Sequence, residues 1–72
     1  MNRFIVNKYQ QPNGDHEVHN ATTGCSYMPL PQNQVELGYH SDCGGAVYVA
    51  KVANPTLRVN GCYYCCRACH TS

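Results

Sequence analysis

The stretch Gly61-Cys62-Tyr63-Tyr64-Cys65-Cys66-Arg67-Ala68-Cys69-His70 constrains this chain more than any other. It carries four of the six cysteines and one of the four histidines. Spaced as C-x-x-C-C-x-x-C-H, these side chains can form a metal site, a disulfide cluster or a redox centre. They carry no mark of a substrate.

The rest of the chain makes such a cluster necessary. With 72 residues it is expected to form a single small domain over 1–72. Ile, Leu, Val and Phe together supply 12 of the 72 residues, below the roughly 20% at which a conventional core becomes doubtful. The net charge is only +1, so the high charge that accompanies disorder is missing. A core this small yields no more than roughly 3–5 kcal/mol, and small scaffolds rely on staples. Six cysteines could form three disulfides in any of 15 pairings. Disulfides require an oxidising compartment. The opening Met1-Asn2-Arg3-Phe4-Ile5-Val6 has a three-residue apolar run, far short of the roughly 7–15 of a signal peptide, and no stretch is of membrane-spanning length. The expectation is a cytoplasmic chain, without a membrane partner, in which clustered Cys and His hold metal rather than form bridges.

Taken in order, residues 3–9 alternate imperfectly, with Phe4 and Val6 on one face and Ile5 on the other, and predict a strand. Gln10-Gln11-Pro12-Asn13-Gly14 is turn chemistry, and residues 15–20 form the returning strand of a hairpin. On that strand His16 and Val18 point one way, Glu17 and His19 the other. His16-Glu17-Val18-His19 is not a zinc-protease motif, which needs histidines four apart on a helix with Glu between them; His16 is expected to bond to backbone or water. Residues 26–34, with Pro29 and Pro31, form a loop. Residues 35–40 alternate, placing Val35, Leu37 and Tyr39 on one face of a third strand. Ser41 is a suitable N-cap, with Asp42 in the first turn, for a helix over 42–53 that ends before Asn54-Pro55. Cys43, Ala46, Val47 and Ala50 would line its buried face, Cys43 as a small hydrophobe. Residues 56–60 cross the surface to Gly61. The fold class is α+β: hairpin, third strand, central helix, and a cysteine-rich knuckle leading into a short helix.

Tetrahedral zinc takes four soft or borderline ligands, commonly as two pairs joined by the fold. Cys62 and Cys65 form the first pair, with Gly61 giving the knuckle backbone freedom. His19 and Cys25 are the best placed upstream partners. Cys66, Cys69 and His70 are alternates; on a continuous helix Cys62, Cys65, Cys66 and Cys69 would share one face. The leading expectation is a structural zinc module in a small binding or adaptor protein, with an unidentified protein partner. C-x-x-C redox chemistry is a second possibility, without the βαβ context of thioredoxin-like enzymes. A third is nucleic-acid binding, with Tyr39, Tyr48, Tyr63 and Tyr64 as stacking surfaces, although the five Lys and Arg are scattered and form no basic stripe.

The elements Asn13-Gly14-Asp15-His16-Glu17-Val18-His19, Cys25, Leu37-Gly38, Cys43, Ala46-Val47, Ala50-Lys51, Gly61 to Cys65 and Cys69-His70 look like a family of short uncharacterised bacterial proteins. More distantly, His19, Cys25, a helix and Cys62-x-x-Cys65 resemble the zinc-binding N-terminal domain of the Ada DNA-repair methyltransferase. That resemblance implies one zinc held by His19, Cys25, Cys62 and Cys65, and a zinc-activated cysteine able to accept a methyl group. Four features depart from it: a histidine stands in place of a thiolate, the H-x5-C spacing is longer, the central segment is longer, and no basic DNA surface is evident.

Overall fold

In a computed structural model, which describes residues 1–71, the chain forms an α+β fold with a four-stranded mixed sheet and one helix. Its strands are β1 (Asn2–Asn7), β2 (Asp15–Asn20), β3 (Gln34–His40) and β4 (Arg58–Gly61), and its helix is α1 (Cys43–Ala53). The spatial order is β3-β1-β2-β4. β1 pairs antiparallel with both β2 and β3, while β4 runs parallel to β2.

The hairpin forms because its turn closes its own polar groups. Gly14 adopts φ +93°, a conformation that costs glycine little, and its N–H donates to the Gln11 carbonyl at 2.8 Å. The Asn13 side chain accepts from the Asp15 N–H at 2.9 Å, an Asx turn. Pairing of Val6 with Val18 and of Ile5 with His19 then follows. Phe4, Val6 and Val18 pack with Cys43, Ala46 and Ala50 of α1 in the main core. Ile5 and His19 lie on the opposite face, yet both are fully buried. Ile5 is thus a second interior residue rather than an exposed exception to the alternation.

Four expectations are corrected. The first strand ends at Asn7 rather than residue 9, where Asn7 Oδ1 accepts from the Tyr9 N–H and turns the chain. β3 carries a bulge: Phe4 pairs with Gly38 and Ile5 with Glu36, so Leu37 is the extra residue. Only Leu37 of the three expected face-mates is buried; Val35 and Tyr39 are exposed. Asp42, not Ser41, caps α1, accepting from the Gly45 N–H at 3.3 Å. Residues 58–61 form strand β4 instead of a surface crossing.

The short helix expected after the knuckle is present as a single 3-10 turn. Residues 63–65 are a turn, and helical geometry is confined to a three-residue 3-10 segment, Arg67–Cys69. Cys62, Cys65, Cys66 and Cys69 therefore do not share one face. Cys69 is instead joined to Cys43 by a disulfide, with Cα atoms 6.3 Å apart, within bridging range. The expectation that metal displaces disulfides altogether is corrected: the chain has one bridge and four free cysteines. The bridge ties the start of α1 to the tail and anchors the segment that crosses Gly61.

Candidate metal centre

Parallel pairing of β4 with β2 creates the site. Val18 pairs with Gly61, and the Cys62 N–H donates to the Val18 carbonyl at 2.9 Å. Cys62 is thereby delivered beside His19, one residue beyond the paired positions on each strand. A tight turn follows, in which the Cys66 N–H donates to the Cys62 carbonyl at 2.9 Å, folding Cys65 back toward Cys62.

A second turn brings in Cys25. Asn20 Oδ1 accepts from the N–H groups of Thr22 and Thr23 at 3.0 and 3.1 Å, and the Gly24 N–H returns to the Asn20 carbonyl at 2.8 Å. Gly24 has φ +67°, which reverses the chain at little cost. The small and polar run 21–24 is therefore a compact reversal.

The result is a quartet: ligating atoms of His19, Cys25, Cys62 and Cys65 all lie within 4.8 Å of one another and could hold a metal ion. His19 Nδ1 stands 3.8 Å from Cys25 Sγ and 3.5 Å from Cys65 Sγ. Cys25 and Cys62 sulfurs are 3.9 Å apart. Zinc bonds of about 2.3 Å to sulfur and 2.0–2.1 Å to nitrogen, at tetrahedral angles, place two sulfurs about 3.8 Å apart and sulfur and nitrogen about 3.6 Å apart. The separations match the edges of such a tetrahedron. The same contacts thus have the spacing of ligands around a single ion.

Backbone donors complete the sulfur environment. The Tyr64 N–H points at Cys62 Sγ and the Asn20 N–H at Cys65 Sγ, both at 3.4 Å. Such donors favour thiolate over thiol. Against them, burial pushes the thiols of Cys65 and Cys62 above their ordinary range. Burial also holds His19 below its ordinary value, leaving the neutral imidazole that ligates metal. Thiols crowded away from water with their sulfurs converging are poorly solvated as anions unless a cation joins them.

His19 Nε2 is buried and has no hydrogen-bond partner among the described residues. The polar atom facing it is Glu17 Oε1, at 3.8 Å, an ion-pair rather than a hydrogen-bond distance. Desolvation raises the Glu17 carboxyl. With Nδ1 committed to a metal, the ring proton would sit on Nε2, facing the Glu17 carboxylate, whose Oε1 also accepts from Gln11 Nε2 at 3.1 Å. Replacing Glu17 with alanine is expected to weaken metal affinity about tenfold, measured by competition against a chromogenic chelator.

The alternates lie elsewhere. Cys66 is buried in the main core with Phe4 and Leu37, where burial pushes its thiol up to about 11. Cys69 is bridged to Cys43. His70 Nδ1 lies 2.9 Å from the Gly61 carbonyl and its ring packs edge-on against Tyr63. His16 sits on the other face of β2, its Nδ1 3.1 Å from the Asn7 carbonyl. Tyr27, which stacks on Tyr64 beside the quartet, escaped the sequence reading because nothing in a proline-containing loop reports its distant neighbour.

Fold and site together define a small cysteine-rich α+β chain in which one histidine and three cysteines form a group able to hold a metal ion. No protein-family model, curated protein or solved structure matches it. None of the helices among the described residues is long and apolar enough to cross a membrane.

Proposed function

We propose that this protein is a small zinc-binding module whose ion is structural and which serves as a binding or adaptor domain. The observation that supports this most is the convergence of one imidazole nitrogen and three sulfurs at tetrahedral spacing. Three thiolates and an imidazole suit zinc, which is borderline-soft and prefers four-coordination. Four protein ligands fill every position, whereas catalytic zinc keeps one open for water or substrate. Zinc here clasps β2 and its following turn to the C-terminal knuckle, joining Cys25 to Cys62 across 37 residues of chain.

The C-x-x-C redox alternative draws less support. A nucleophilic redox cysteine has a depressed pKa, while burial pushes Cys62 and Cys65 upward. Native mass spectrometry of untagged protein, with and without reductant, tests the proposal. The expected result is one zinc per chain in both conditions, with a two-proton mass increase on reduction of the Cys43–Cys69 bridge. Metal-free protein that gives well-dispersed amide resonances would overturn it.

A further inference from the structure

The two turns that bring the cysteines together also carry aromatic rings to the surface. Tyr63 and Tyr64 lie between Cys62 and Cys65, and Tyr27 is two residues after Cys25. The rings of Tyr27 and Tyr64 are stacked, with centroids 4.3 Å apart and planes 20° apart. Tyr63 meets Tyr64 edge-on at 5.2 Å. All three remain exposed, at 59%, 44% and 61% for Tyr27, Tyr63 and Tyr64. All six tyrosines are exposed, and these three are mounted on the two turns that carry the cysteines. Tyr39 and Tyr48, also exposed, stand on β3 and α1 and have no aromatic neighbour among the described contacts.

Charge indicates what such a surface would take. The Arg67 guanidinium lies 4.8 Å from the centre of the Tyr63 ring, and His70 packs on the same ring at 5.4 Å. Arg67 is exposed and makes no salt bridge among the described residues. The outer faces of the Tyr27–Tyr64 stack, beside a guanidinium that makes no salt bridge among the described residues, offer a surface for a base and a donor fork for the phosphate next to it.

We infer that Tyr27, Tyr63, Tyr64 and Arg67 form a stacking platform for unpaired bases of single-stranded nucleic acid. The inference rests on the proposed zinc reading only for the rigidity of the two turns. Stacking is tolerant of sequence because every base has an aromatic face. With one arginine at the platform, few phosphates are neutralised, and affinity falls only shallowly with salt: about 0.7 in log K per tenfold change in salt for each phosphate contacted. Duplex, whose bases are stacked on each other, is a poor ligand.

The test titrates 15N-labelled full-length protein with an eight-nucleotide oligothymidylate, its hairpin duplex counterpart and an acidic unstructured peptide, with metal content measured on each sample. Expected are shifts confined to the two turns, saturable with the single strand alone, and binding at least about tenfold weaker in Tyr64→Leu but retained in Tyr64→Phe. Arg67→Gln lowers the salt slope. A single strand that produces no shifts, equal binding by Tyr64→Leu with its metal and spectrum intact, or selective binding of the acidic peptide overturns the inference. Loss of metal binding with single-strand binding retained overturns the zinc reading and leaves the platform standing.

Discussion

Replacing Cys62 with serine is expected to leave the chain unfolded at 25 °C, even with zinc in excess. Cys62 is 1% exposed and belongs to the main core as well as to the quartet. On the proposed zinc reading, serine keeps the size of the side chain but removes a thiolate ligand, so the loss would be chiefly one of metal binding. A core of this size supplies roughly 3–5 kcal/mol at best, whereas a structural zinc site contributes roughly 10–16 kcal/mol in small zinc-dependent peptides. Losing the second term cannot be offset by the first. Chelation of the wild-type protein is expected to have the same consequence. Cys66→Ala serves as the contrast: it is equally buried but outside the quartet, so it should cost about 1–3 kcal/mol and leave zinc stoichiometry unchanged. Circular dichroism and amide dispersion, read beside metal content, separate the two. Equal behaviour of the two variants would mean that the quartet is only packing.

Gly61→Ala is the second change with a large expected effect. A Cβ at Gly61 would sit 2.7 Å from the Cys66 carbonyl oxygen and 2.8 Å from both the carbonyl carbon and the Cβ of Cys69. These are backbone atoms and the root of a side chain, so no rotamer change relieves them. Nor can the segment retreat freely. Cys69 is tied to α1 through Cys43, Cys66 is held by its bond to the Cys62 carbonyl, and the Cys69 N–H donates back to the Cys66 carbonyl. Overpacking against immobile neighbours should destabilise the fold by about 3 kcal/mol, measured by urea denaturation with zinc present. A loss below about 0.5 kcal/mol, the size of an ordinary surface substitution, would show that the tail does not cross Gly61 as closely as described. Gly61 is therefore required for close approach of the tail rather than for the conformational freedom expected of it.

Much of the fold was legible because it is local. β2 runs over the expected residues, since Asn13-Gly14 fixes its start and the small residues after Asn20 its end. The helix stops where Asn54-Pro55 requires, with Asn54 N–H closing on the Ala50 carbonyl. The illegible parts depend on distant partners. β4 has one apolar residue in Arg58-Val59-Asn60-Gly61, and Asn60 is buried only because its amide meets Asp15 Oδ2 and its side-chain carbonyl accepts from Thr71. The β3 bulge is visible only once Phe4 is seen opposite Gly38. The partner of Cys69 could not be read, because six similar thiols carry no label for pairing. His19, Cys25, Cys62 and Cys65 were named from ligand type and spacing. Their convergence depends on the parallel register of β4 on β2, which no local pattern announces.

X-ray absorption at the zinc edge on purified protein tests the central claim most directly. Coordination by His19, Cys25, Cys62 and Cys65 predicts three sulfurs at about 2.3 Å and one nitrogen at about 2.0–2.1 Å, with the nitrogen contribution lost in His19→Cys. A shell of light atoms, a sulfur count of one or two, or a spectrum unchanged by His19→Cys would contradict it.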